Sequence, residues 1–307
     1  MEKEEKQGIV FATFAYILWG LLPIYWKLLQ DVGADEILAN RVFWSFWFML
    51  LLLMVTGNLR AFKAEGLALI KRKKRLLALI TASVLISMNW FIYIWAVNTN
   101  QMVEASLGYY INPLVSVLLG VIVLKEILSR VQVASFILAL IGVVIITASY
   151  GNFPWIALTL AMSFGLYGLV KKMIKVDPAI GLTLETLTIM PIAMIYIGYL
   201  FSKGTPSLFS GMLDTDLLLI GAGVATAIPL LFFAKGAQRI PLYMIGFLQY
   251  ITPTLTLLLG VFVYGEPFSL IDFISFLFIW AGLTLFTFSR SKWYVALPRR
   301  IKKVHGH

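Results

Sequence analysis

Tyr110-Ile111-Asn112-Pro113-Leu114-Val115-Ser116-Val117-Leu118-Leu119-Gly120 returns 140 residues later as Tyr250-Ile251-Thr252-Pro253-Thr254-Leu255-Thr256-Leu257-Leu258-Leu259-Gly260. The correspondence continues without a gap from 110–149 over 250–289, with 15 identities in 40 pairs. Ordinary composition would give about two or three. Glu126 falls on Glu266 and Gly142 on Gly282. A weaker match at an offset of 145 sets Gly20 over Gly165 and Lys27 over Lys172. The chain therefore reads as two repeats, residues 1–150 and 151–307.

Each repeat is made of long apolar runs. Of 307 residues, 60% are hydrophobic and 13% charged, and the mean hydropathy is +0.89. A soluble domain is nearer half apolar and a quarter charged. Ten runs of membrane-crossing length lie at 8–29, 36–57, 76–98, 102–124, 131–149, 153–172, 179–201, 215–235, 239–264 and 270–290. They leave no room for a large soluble domain, which excludes a fused nucleotide-driven motor. They are continuous and about twice the length of a barrel strand, so they are helices. Five spans per repeat is an odd number, so the second copy enters the membrane inverted with respect to the first. The expected fold is an all-α polytopic membrane protein with ten transmembrane helices in two inverted five-helix repeats. Many secondary transporters are built this way, with the site at the midplane between the halves.

The net charge of +10 could suggest nucleic acid, but the basic residues cluster in short breaks between spans. With the N-terminus placed in the cytoplasm, 22 of the 25 Lys and Arg residues fall on the inner side. Only Lys27, Arg41 and Lys203 fall outside. Both termini are therefore expected in the cytoplasm, with no nucleic-acid partner. The cluster Lys71-Arg72-Lys73-Lys74-Arg75 and the tail residues Arg299, Arg300, Lys302 and Lys303 read as topology signals, with anionic lipid headgroups as natural neighbours. The first run follows a poorly basic leader and carries Pro23 and Lys27, so it reads as a retained helix. With no cysteine, disulfides, Fe–S clusters and thiolate sites are excluded. His305 and His307 are isolated in the tail and suggest no metal site. No cofactor is called for.

Several stretches carry a family resemblance. They are Trp19-Gly20-Leu21-Leu22-Pro23-Ile24-Tyr25-Trp26-Lys27, Asn40-Arg41, Asn89-Trp90, Tyr93-Ile94-Trp95-Ala96-Val97-Asn98 and Glu104-Ala105-Ser106-Leu107-Gly108-Tyr109-Tyr110-Ile111-Asn112-Pro113. The second half adds Ser163-Phe164-Gly165-Leu166-Tyr167-Gly168, Glu185-Thr186, Ile240-Pro241-Leu242 and Gln249-Tyr250. In these the chain resembles the drug/metabolite transporter superfamily in its EamA-type ten-helix form, and most of all the RarD subgroup. The resemblance implies a multi-pass carrier of the bacterial inner membrane, of a group described as permeases linked to chloramphenicol sensitivity. It leaves the physiological substrate open.

Polar groups at membrane depth are costly and face a cavity or a partner. Asn89 sits mid-span with Tyr93 one turn on. Tyr109 and Asn112 precede Pro113, and Gln249 precedes Pro253. These related prolines would make paired helix breaks beside a binding site. Asn89, Tyr93, Tyr109, Asn112 and Gln249 are the candidate substrate contacts, against the plainer reading that Asn and Gln tie helices together. Arg41 could hold a substrate carboxylate, but a salt bridge to Glu36 or Glu104, or snorkelling outward, is the preferred reading. Glu185 is the most embedded carboxylate and the first candidate for proton coupling, with pairing to Lys171 or Lys172 as its structural alternative. Glu104 is the second candidate, better solvated at a helix entrance. Trp19 and Tyr167, near Gly20, Gly165 and Gly168, are candidate walls of an aromatic cavity.

Three functions compete. An intramembrane enzyme needs His, Cys or paired carboxylates within the spans, and none is present. A scaffold or lipid handler leaves the inverted duplication without a purpose. The reading adopted is a carrier of small amphipathic metabolites, such as amino acids or drugs like chloramphenicol, working by alternating access. One chain holds both repeats, so a monomer suffices, with oligomers left open.

Overall fold

The computed structural model describes residues 2–99, 101–174, 176–265 and 268–289. In lipid an apolar run must satisfy its own backbone, and here each does so as a helix. The helices are α1 (Glu2–Lys27), α2 (Ala34–Val55), α3 (Leu59–Lys71), α4 (Lys73–Asn98), α5 (Met102–Ile122) and α6 (Arg130–Tyr150). After them come α7 (Trp155–Met173), α8 (Pro178–Lys203), α9 (Leu213–Ala237), α10 (Leu242–Gln249), α11 (Ile251–Phe262) and α12 (Leu270–Ser289). Among the described residues ten segments are long and apolar enough to cross a bilayer, with α10 and α11 together forming the ninth. Their ends follow local chemistry. Ser129 and Gln132 form a capping box at α6, and Asp177 accepts the Ala179 and Ile180 amides ahead of α8. Gly151 and Gly204 close α6 and α8 at φ of 79° and 67°, a left-handed turn that glycine adopts without steric cost.

Two segments depart from expectation. The basic stretch 58–75 holds α3, too short to cross, with Phe62 and Leu69 packed on the core and Arg60, Lys63 and Lys71 exposed. The paired breaks expected at Pro113 and Pro253 occur once. The ninth span divides at Tyr250, because Pro253 has no amide to bond the Gln249 carbonyl. By contrast α5 runs through Pro113, held between α7 and α10.

Helices associate in lipid by close packing rather than by expelling water, so small residues decide where backbones meet. The most extensive pair is α6 with α12. A methyl on Gly142 would stand 2.5 Å from the Ser275 carbonyl oxygen, and one on Gly282 would stand 2.7 Å from that of Ser135. Gly142 and Gly282 are 140 residues apart, as are Ser135 and Ser275, so the interface meets its own counterpart, as a two-fold axis requires. The same relation links Gly20 against Leu255 with Gly165 against Val115. Five spans separate the related elements, so they cross the bilayer in opposite senses.

Candidate functional site

Aromatic residues of α1, α7 and α9 gather where the two halves meet. Trp19 lies 5.7 Å from Phe164 and 5.6 Å from Phe233, and Tyr167 stacks on Phe233 at 5.9 Å. Tyr16 joins them at 5.6 Å from Trp19. Tyr167 and Lys171 are four residues apart and so share one face of α7. That face meets Glu185, two turns into α8. Lys171 Nζ donates to Glu185 Oε1 at 2.8 Å and the Tyr167 hydroxyl to Oε2 at 3.3 Å. Both charged side chains are only 4% exposed. Of the two lysines considered for Glu185, Lys171 is therefore the partner. Beside this trio, Ser45, Trp90, Tyr167, Glu185 and Thr186 line a narrow cavity with room for about one water.

Arg41 lies on the far side of Trp90. Its guanidinium faces the rings of Trp26 and Trp90 at 4.6 and 5.2 Å, and Nε donates to Thr226 Oγ1 at 2.9 Å. Tyr93 and Tyr109, an edge-to-face pair 6.0 Å apart, stand within electrostatic reach of it. Among the described residues Arg41 makes no salt bridge with either candidate acid, and both acids accept backbone amides. Glu36 accepts the Ser207 amide at 2.7 Å and its hydroxyl at 2.8 Å, together with the Leu208 amide at 3.2 Å. Glu104 accepts the Ile156 amide at 2.7 Å, which caps the start of α7. It is 3% exposed, so the expectation of a solvated Glu104 is also corrected.

The remaining candidates fall along the same seam. Asn89 donates to the Leu160 carbonyl and to Ser163 Oγ, both at 2.9 Å, and so ties α4 to α7. Gln249 Oε1 receives the Ser116 hydroxyl at 3.4 Å, linking α10 to α5. One turn from Ser116, Asn112 Oδ1 is buried with no partner among the described residues, as are the hydroxyls of Tyr16 and Tyr250. Thr226, Phe233, Tyr16 and Ser45 went unremarked in the sequence. Thr226 and Ser45 could have been found as hydroxyls inside apolar runs, whereas Tyr16 and Phe233 carry no local signal. At one end of the seam Glu126 accepts the amides of Leu242 and Tyr243 at 2.7 and 2.9 Å, and Lys172 donates to the Ile240 carbonyl at 2.6 Å. This clamps the start of α10. Glu266, the repeat mate of Glu126, lies outside the described residues, as do Arg299, Arg300, Lys302, Lys303, His305 and His307.

The comparisons with known proteins agree with this architecture. Over 98% of its length the chain is 52% identical to the uncharacterized transporter YojE of Bacillus subtilis, covering 99% of that protein. It is 45% identical to protein RarD of Salmonella typhi over 92% of this chain and 95% of that one. A solved crystal structure superposes with a TM-score of 0.68 at 19% identity, over 91% of this chain and 96% of its own, and shows the fold alone. The EamA-like transporter family matches residues 6–148 and 154–288, nearly the whole of the ten spans. The chain thus belongs to the EamA-like transporter family and is a multi-pass protein of the bacterial inner membrane.

Proposed function

We propose that the protein is a secondary-active carrier of small amphipathic metabolites, in which the two halves rock about a midplane site with both termini in the cytoplasm. The observation that carries this reading is the seam itself. Ser45, Trp90, Tyr167, Glu185 and Thr186 come from four helices to enclose a small space inside the span region. Buried hydroxyls at Tyr16 and Tyr250 and a free Asn112 Oδ1 are polar groups that a bound solute would satisfy. Substrate contacts are assigned to Trp19, Tyr93, Tyr109, Asn112, Tyr167 and Gln249, and the aromatic share of that set suits ring-bearing solutes. Asn89 is assigned as a helix tie, Glu104 as a helix cap and Glu185 as the coupling carboxylate. A single chain suffices for this cycle.

The lipid-handling alternative draws on an apolar groove of about 890 Å³ between α5, α6 and α7. Among the described residues that line it none is charged to hold a headgroup, which favours the carrier. The test is uptake by proteoliposomes of a labelled panel, with aromatic amino acids and chloramphenicol at its head, with and without an imposed pH gradient. Saturable, gradient-driven uptake supports the reading. Saturable uptake indifferent to the gradient removes the role given to Glu185. No flux of any solute through folded protein overturns the carrier.

A further inference from the structure

An arginine within a span is costly unless an acid or a wet cavity offsets its charge. Arg41 lies seven residues inside α2, ringed by Trp26 of α1, Trp90 and Tyr93 of α4, Tyr109 of α5 and Thr226 of α9. Among the described residues no carboxylate forms an ion pair with it, and Thr226 is the one acceptor of its five N–H groups. The indoles attract the cation but accept none of these bonds. Tyr109 beside it is 43% exposed, and Arg41 itself is only half-buried. Trp90 both faces the guanidinium and lines the cavity at Tyr167 and Glu185.

Resting on the carrier reading above, we infer that Arg41 anchors the anionic group of the substrate, a monocarboxylate with an aromatic or branched apolar body. The free edge of the guanidinium fork matches a planar carboxylate in two parallel hydrogen bonds. One guanidinium neutralises one negative charge, whereas a phosphate dianion would leave charge stranded in the span. Trp90 also lines the cavity at Tyr167, whose ring packs with Phe164 and Phe233, an environment that suits an apolar body. Loading then turns a charged site into a neutral one that can close.

The test is equilibrium binding to the purified full-length protein of 3-phenylpropionate against 3-phenylpropionamide, phenylalanine against phenylalaninamide, and phenyl phosphate. The expected result is binding of a carboxylate, with its amide about tenfold to a hundredfold weaker. Arg41→Gln should erase that difference and Arg41→Lys should restore part of it, since lysine keeps the charge without the fork. The wild-type comparison stands without either variant. Equal binding of carboxylate and amide, stronger binding of phenyl phosphate, or binding of no carboxylate overturns the assignment. Carboxylate binding without flux of any solute upholds the anion site and overturns the carrier. Saturable flux confined to neutral solutes does the reverse.

Discussion

Replacing Lys171 by Met removes one member of a buried ion pair and leaves the other without its counter-charge. Lys171 and Glu185 meet at 2.8 Å with each side chain 4% exposed, so neither charge has bulk water to fall back on. Breaking such a pair from one side costs about 3–5 kcal/mol, whereas replacing both members by apolar residues of similar size is often close to neutral. Lys171→Met alone should therefore lose roughly 3 kcal/mol, somewhat less where the remaining Tyr167 hydrogen bond still steadies the carboxylate. Lys171→Met with Glu185→Leu should recover most of that loss. The assay is reversible unfolding in mixed micelles, run as a double-mutant cycle. A coupling energy of about 2 kcal/mol or more agrees with the geometry. Strict additivity within about 0.5 kcal/mol would refute it. The cycle also separates stability from transport. Glu185→Gln should retain exchange but lose pH-driven accumulation, and unchanged accumulation would remove Glu185 from coupling.

Three further outcomes follow from packing and capping. Gly282→Leu forces side-chain atoms onto the Ser135 carbonyl and should cost about 1–3 kcal/mol, while Gly198→Leu, which has nothing within 4 Å, should be neutral. Equal effects of the two in the same unfolding assay would contradict the α6–α12 contact. Glu126→Ala frees the amides of Leu242 and Tyr243 and should speed their hydrogen exchange by at least about tenfold, and unchanged exchange would mean the clamp is not formed in the membrane. Asn89→Ala should cost about 1–3 kcal/mol and leave flux per folded molecule intact. Lost flux at unchanged stability would return Asn89 to the substrate.

Much of the fold is written in the linear pattern because lipid leaves a chain few options. The ten spans follow from run length, and their two-fold relation follows from an offset that the Gly142–Ser275 and Gly282–Ser135 contacts repeat in space. What escaped was decided by tertiary surroundings. Pro113 and Pro253 look alike in sequence, yet α5 stays intact between α7 and α10 while the ninth span parts at Tyr250. Helix α3 was hidden by its charge, since Phe62 and Leu69 are sparse among basic residues. Arg41 reads in sequence as a partner for Glu36 or Glu104 because all three fall toward the outer ends of their spans. Both acids instead serve amides of distant segments, at Ser207 and Ile156, which spacing alone does not reveal. Glu185 and Lys171 were foreseeable as a pair, and Tyr167 as a wall of the seam. The cluster they complete with Phe233 and Tyr16 required the packing of α9 and α1.

The central claim is that the two halves alternate in opening the seam to either side, and the absence of cysteine makes it directly testable. One introduced pair, at Glu126 and Tyr243, spans the clamp at the start of α10. The other, at Lys27 and Tyr264, spans the contact at the opposite end of the ninth span, where the ammonium lies 3.8 Å from the ring. Each pair is joined by a short thiol cross-linker cleavable by reductant, and uptake is measured in proteoliposomes before joining, after joining and after release. The account predicts that joining either pair alone stops uptake and that release restores it. Undiminished uptake with both ends joined would contradict alternating access.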